Sequence, residues 1–282
     1  MTMSAVVQGI EPKVSVVVTC YDLGAYLEEA LDSVPVSDQV EVIVVDDGST
    51  DAQTVTVLDG LDKERYRIVR QPNMGLAKAR NNGIRIARGR YIIPLDADNR
   101  LRPQIIERTI EVLNKDPEVD IVYGDAAYFG ERNDRWTMGP HELSALIERN
   151  RIDACAGFRK SLWQRMDGYD EHMPVMGYED WDFWLRCIVA GAGFRYVNEV
   201  FFDYRVRGGS MIATTMANRP QLVGYIFGKP ELRFLQGLRE AYLACLERER
   251  NRPVLTETIL LRMLGSRIKR RLLGGGPSTP VH

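Results

Sequence analysis

The chain has 282 residues, 45% of them hydrophobic and 27% charged, and 37 lysines and arginines stand against 39 aspartates and glutamates for a net charge of −2. This globular mix excludes a disordered, collagen-like or mucin-like chain, and the near-balanced charge argues against a dedicated nucleic-acid binder. Four scattered cysteines (Cys20, Cys155, Cys187, Cys245) form no C-x-x-C pair, so reduced, mostly buried thiols are expected rather than a disulfide framework or a zinc site.

The first 125 residues alternate between two hydrophobic periods. Val14–Thr19 is a β-branched run of the kind that forms a buried parallel strand. Leu27, Ala30, Leu31 and Val34 then recur at helical spacing, and Val42–Val45 is a second buried strand. A helix is expected over about Ala52 to Leu61, a short strand over Arg67–Val69 closed by Pro72, and a helix from Leu76 to Ala87 whose end Gly89 marks. Tyr91–Leu95 is the fourth strand, Pro103 opens a helix that runs to about Asn114, and Asp120–Tyr123 is the fifth strand. The stretch from 126 to 220 is less regular, with short strands expected near Ala126–Phe129 and Arg195–Val197 and a helix from about Tyr178 to Ala190. The last sixty residues read as helical, with Leu260, Leu264, Ile268 and Leu272 four apart.

Strand–helix alternation of this kind builds a parallel sheet with helices on both faces, and ligands of such sheets bind beyond the carboxyl ends of the strands. Those ends are acidic here. Thr19, Tyr21 and Asp22 follow the first strand, Asp46-Asp47-Gly48-Ser49-Thr50-Asp51 the second, and Asp96-Ala97-Asp98-Asn99 the fourth. Gathering these carboxylates in one cleft is unfavourable unless a cation or hydrogen-bond donors offset them, and magnesium or manganese suits such hard oxygen ligands. Asp96 and Asp98 could equally cap the helix that begins near Pro103, and an Asp-Gly-Ser turn forms without any ligand. Lys78 and Arg80, within Gly75–Gly83, read either as a solvated helix face or as cationic support for a pyrophosphate. Glu179 and Asp180 open a helix between Gly177 and two tryptophans, Trp181 and Trp184, which suit a sugar-binding face and a packed core equally well. Arg205 and Arg207 precede Gly208-Gly209-Ser210-Met211, which reads either as a surface loop or as a flexible segment able to fold over bound phosphates.

In this order the pieces resemble the family 2 glycosyltransferases with the GT-A fold. The resemblance runs from about Lys13 to Met211 and rests on Val44–Asp51, the Gly-Leu-Ala-Lys-Ala-Arg-Asn-Asn-Gly-Ile run, Asp96-Ala97-Asp98 and Glu179-Asp180. It implies an α/β GT-A fold, with a mostly parallel central sheet between helices, and a helical C-terminal extension. The catalytic domain would span residues 1–220, its nucleotide-binding half about 13–125 and its acceptor-binding half about 126–220, with the extension at 221–282. It further implies that Thr19, Tyr21 and Asp47 hold the nucleotide base, Asp47 accepting from the imide of a uracil. Lys78 and Arg207 would support the diphosphate, Asp96 would lie near the ribose and the metal, and Asp98 would ligate Mn²⁺ or Mg²⁺. Asp180 would be the general base, and Glu179 would place the acceptor. The family often carries a histidine where Arg207 stands, and a guanidinium cannot ligate a cation; none of His141, His172 and His282 falls at that site.

The function so implied is metal-dependent, inverting transfer of a sugar from a nucleotide-diphosphate donor, a UDP-sugar by preference, to a glycan, lipid-linked or small-molecule acceptor. Two other functions fit the same sheet: sugar-nucleotide formation by a nucleotidyltransferase, and nucleotide binding by a scaffold without catalysis. The first would need a glycine-rich, basic loop after strand one, where Cys20-Tyr21-Asp22-Leu23-Gly24 stands; the second has no use for Asp47, Asp98 and Asp180 together. No G-x-G-x-x-G follows the first strand, which disfavours a dinucleotide oxidoreductase.

No signal peptide and no membrane-spanning run of about 18 apolar residues are evident, so a cytoplasmic location is expected. From Arg252 onward six basic residues face one acidic residue, Glu257. That tail reads either as a helix packed on the catalytic domain or as a basic amphipathic helix touching the inner face of a membrane.

Overall fold

The computed structural model describes residues 12–248 together with residues 262, 264 and 265. The uninterrupted β-branched runs form the strands they predict. Strands β1 (Val14–Cys20), β2 (Val40–Asp46), β3 (Tyr66–Arg70) and β4 (Tyr91–Asp96) are parallel and lie in the order β3-β2-β1-β4. All seven residues of β1 are buried, as expected of a strand covered on both faces. Helices α1 (Gly24–Asp32), α2 (Ala52–Gly60) and α3 (Leu76–Ile86) connect these strands. Helix α3 lies close against the sheet because Gly83 has no side chain; a Cβ there would stand 2.4 Å from Val17 and 2.9 Å from Val45.

Beyond β4 the sheet becomes mixed. A two-residue strand β5 (Arg100–Leu101) precedes α4 (Pro103–Lys115), which has Pro103 in its first turn as expected. The strands foreseen at 120–123 and 126–129 run together as one ten-residue strand, β6 (Ile121–Gly130), with register shifts around Asp125. Next come β7 (Arg135–Trp136), α5 (Leu143–Glu148), β8 (Gly157–Arg159) and α6 (Lys160–Arg165). Helix α7 (Glu179–Val189) coincides with the helix expected from Tyr178. The short strand expected at 195–197 is the start of the thirteen-residue β9 (Phe194–Val206), parallel to β6. Strand β8 is antiparallel to both β4 and β6, β5 is antiparallel to β9, and the full order is β3-β2-β1-β4-β8-β6-β9-β5 with β7 beside β6.

A buried carboxylate explains the irregularity of β6. Asp125 is fully buried and accepts from Arg135 Nη2 (2.6 Å), the Met138 amide (2.9 Å) and the Tyr196 hydroxyl (2.9 Å), which ties β6 to β7 and β9. A charge this deep is tolerated only when paired and hydrogen-bonded in this way.

Helices α8 (Met211–Ala217), α9 (Arg219–Gly228) and α10 (Arg233–Arg248) complete the described chain. Leu222, Ile226, Phe227, Leu235 and Leu238 belong to the same buried cluster as the sheet, and Phe227 meets Trp181 edge-on with ring centroids 5.6 Å apart. Lys229 reaches Asp170 (2.6 Å) and the fully buried Asp182 (2.5 Å), which fastens the end of α9 to α7. Leu264 is buried; Leu260, Ile268, Leu272 and, apart from the exposed Arg262, the basic residues of the tail lie outside the described residues. Among the described residues no helix is long and apolar enough to cross a membrane, and all four cysteines are free.

Candidate active site

The register of the parallel strands brings the acidic strand ends together. Cys20 of β1 is level with Asp46 of β2, and Thr19 is level with Asp96 of β4. Beyond these ends lies a cavity of about 520 Å³ lined by Thr19, Tyr21, Asp47, Asp96, Asp98 and Arg207, with Gly75, Met176 and Tyr204 among its other walls. Six of the residues singled out from the sequence therefore share one cavity. Lys78, Glu179 and Asp180 do not line it.

The Asp46–Asp51 segment divides its labour. Asp46 accepts from the Ser49 amide (2.9 Å), Asp51 caps α2 through the Thr54 amide (2.8 Å), and Asp22 accepts from the amides of Thr50 (2.7 Å) and Asp51 (2.8 Å). These carboxylates shape the turn. Asp47, 5% exposed, is held by Gln71 Nε2 (2.7 Å) and the amides of Met74 (2.8 Å) and Gly75 (2.9 Å). A carboxylate offers about four acceptor positions, so Asp47 keeps one for a ligand in the cavity. Gly75, at φ 90°, turns the chain into α3 in a conformation that a side chain would strain.

Asp98 faces the cavity at the far end of β4. Burial and the neighbouring Asp96 push its carboxyl above the ordinary carboxylate range, against a hydrogen bond from Arg207 Nε at 2.9 Å. Arg205 donates from Nε to the Asp98 carbonyl (2.9 Å) and from Nη2 to Glu29. Thr19 Oγ1 lies 3.5 Å from Asp96, and Tyr21 is 45% exposed at the mouth.

Arg80 departs most from the helix-face reading. Its side chain is 2% exposed; Nη2 donates to Asp96 (2.7 Å) and Nη1 to Glu179 (2.5 Å). Burial alone would lower its pKa, yet Asp96 and Glu179 hold the guanidinium well above its usual value. One buried cation thus joins the β4 end to the first turn of α7. The second oxygen of Glu179 accepts from the Gly177 amide (2.8 Å). Asp180, 7% exposed, accepts from Asn150 Nδ2 (2.8 Å) and the Trp181 amide (2.7 Å). Burial first, then the charges of Glu179 and Asp153, raise Asp180 well above the ordinary range. Asp153, not singled out from the sequence, is itself pushed up to about 7 by burial and by Asp96.

Lys78 turns elsewhere: its ammonium pairs with Glu171. Asn81, on the same helix, binds the Tyr169 carbonyl (2.8 Å) and amide (2.9 Å) and the Trp163 indole (2.9 Å), pinning α3 to the segment before α7. Of the two readings of Trp181 and Trp184 the core one holds, since both are fully buried and donate to the carbonyls of Leu146 (2.7 Å) and Ile152 (3.1 Å).

The donor set also bears on a cation. Among the described residues no three acidic, histidine or cysteine side chains are arranged to hold a metal alone. Asp98 and Asp96 are hard oxygen donors whose mutual repulsion a divalent ion would relieve. Two carboxylates completed by substrate phosphates are the usual complement for magnesium, so these residues fit such an ion.

Residues 15–175 match the family model described as glycosyl transferase family 2. A chondroitin synthase of Escherichia coli is 27% identical over 213 residues, an alignment covering 70% of this chain and 29% of that protein. The chain likewise spans 24% and 39% of two further curated relatives, well under half their length. Among solved structures, residues 1–349 of S. aureus TarS in complex with UDP-GlcNAc superpose with a TM-score of 0.62 at 18% identity, covering 82% of this chain and 71% of that one. The mannosyltransferase PcManGT from Pyrobaculum calidifontis, in complex with GDP-Man and Mn²⁺, gives 0.61 at 21% identity, covering 92% of this chain and 80% of that one. At these identities the two structures speak to the fold, which is the GT-A type.

Proposed function

Because the chain belongs to glycosyl transferase family 2, we propose that it transfers a sugar from a nucleotide-diphosphate donor, a UDP-sugar by preference, to an acceptor hydroxyl with inversion at the anomeric carbon. The observation that carries this reading is the convergence of Asp47, Asp96 and Asp98 on one cavity, with Asp96 joined through Arg80 to the Glu179–Asp180 pair.

In this reading the remaining acceptor position of Asp47 takes the imide proton of the base, with Thr19 and Tyr21 beside it. Asp98 and Asp96 would hold Mn²⁺ or Mg²⁺. Such an ion, when bound, offsets the charge that develops on the leaving group. Arg207, which lines the cavity 2.9 Å from Asp98, would add its guanidinium to the phosphates. Arg80 carries no substrate; it holds Asp96 and Glu179 in register. Asp180 takes the proton of the acceptor hydroxyl as the new bond forms. Lys78 has no part in this scheme, since Glu171 neutralises it outside the cavity.

Incubating the protein with Mn²⁺ and a panel of UDP-, GDP- and dTDP-sugars tests the activity directly. Slow release of nucleoside diphosphate from at least one donor is expected. Release of pyrophosphate from a nucleoside triphosphate and a sugar phosphate would instead favour the nucleotidyltransferase.

A further inference from the structure

We infer that Tyr128, Trp136 and Tyr204 form an acceptor subsite that stacks a pyranose ring beside the donor cavity. The inference rests on the transferase reading above and names the acceptor as a carbohydrate.

Three strands build the ledge. Tyr128 of β6 is level with Tyr204 of β9, and Trp136 of β7 is opposite Ala126, two residues before Tyr128 on the same face. The Tyr128 and Trp136 rings are parallel within 3°, with centroids 6.0 Å apart. Tyr204 meets both edge-on, at 5.8 and 6.1 Å. All three are half-buried, and of the four tryptophans Trp136 alone is not in the core. Tyr204 also lines the donor cavity, so the ledge and the cavity share one residue.

The groups around the ledge carry unused hydrogen-bonding capacity. Among the described residues neither the Trp136 indole N–H nor the Tyr204 hydroxyl has a hydrogen-bond partner, although half-buried rings of these types ordinarily find one. Asp153 accepts from the Cys155 amide through one oxygen (2.8 Å), and among the described residues the other has no hydrogen-bond partner. Its charge reaches Tyr128, Tyr204 and Asp180 alike. The Arg132 guanidinium covers one face of the Tyr128 ring, 4.0 Å from its centroid, which leaves the Trp136 ring as the main apolar face. An indole face with its own N–H, and with the Tyr204 hydroxyl on the neighbouring ring, matches the C–H face and equatorial hydroxyls of a pyranose. An alkyl chain would leave those polar groups unpaired.

Ligand-observed saturation-transfer NMR on the full chain, with UDP and Mg²⁺ present, tests this. The probes are methyl pyranosides of glucose, galactose, mannose, N-acetylglucosamine and glucuronic acid, with decyl phosphate as the alkyl alternative. At least one pyranoside should receive saturation through its ring C–H protons. Trp136→Ala should weaken that binding about fivefold or more, as loss of a stacking ring does, whereas Trp136→Phe should retain it within about twofold. The thermal shift produced by UDP should persist in both variants, which shows that they fold. Binding of UDP without any pyranoside, capture of decyl phosphate alone, or Trp136→Ala binding sugars as the unaltered protein does would overturn the subsite and leave the donor reading standing. A protein that UDP does not shift would remove the preference for a UDP-sugar together with the subsite argued from it.

Discussion

A carboxyl buried against Glu179 and Asp153 keeps its proton to a higher pH than an exposed aspartate. For Asp180 this has two opposed consequences. Its raised pKa means that the folded chain binds the proton more tightly than the unfolded chain. The associated stability is therefore full below the ordinary carboxylate range and is lost as pH climbs through the raised value. A base must be ionised to act, so sugar transfer should rise over the same interval, with its acidic limb displaced above the usual carboxylate pKa. Asp180→Asn puts a neutral amide where burial already favours the neutral acid. It can be accommodated by a flip of Asn150, whose Oδ1 is buried without a partner. We expect this variant to melt close to the unaltered protein, to bind nucleotide normally and to turn over about 10²–10⁴-fold more slowly. Unchanged turnover, measured as product formed in a coupled nucleotide-release assay, would remove Asp180 from the base role.

At the scale of elements, α7 is the hub. Its first turn supplies Glu179 and Asp180, its tryptophans fill the core, and its Asp182 receives Arg186 (2.8 Å) and Lys229 (2.5 Å). The docking of α9 on α7 therefore supports the site from behind. Lys229→Met keeps most of the apolar stem but removes the ammonium from two carboxylates. Asp182 retains Arg186, so the loss should be about 2 kcal/mol rather than the larger figure for an orphaned buried charge, read from the midpoint of urea unfolding. A change well under 1 kcal/mol would mean that apolar packing alone docks the C-terminal helices.

Across the whole molecule, what is local in the chain is legible in the sequence and what is assembled from afar is not. Strands β1, β2 and β4 announce themselves because strands covered on both faces are near-continuous apolar runs, whereas the edge strand β3 shows only Ile68 and Val69 between arginines. The three residues of β8 carry no period, and β6 hides its length because a charged residue, Asp125, sits in its middle and is satisfied by partners outside its own strand. Position explains why Asp47, Asp96 and Asp98 could be singled out: each follows a strand whose end had to face the same edge. Arg80 could not be assigned in this way. Its two carboxylates lie 16 and 99 residues away, and within its own helix it resembles any solvated arginine. Asp153 and the Tyr128–Trp136–Tyr204 ledge lie in the irregular middle of the chain, where no pattern places side chains before the strands pair. The account as a whole depends on Asp98 and its neighbours gripping a nucleotide diphosphate through a divalent ion. Calorimetric titration of UDP into the protein in Mn²⁺, repeated in EDTA and with Asp98→Ala, tests that most directly. Saturable binding that EDTA abolishes and Asp98→Ala lacks is the expected result; equal affinity under all three conditions would contradict it.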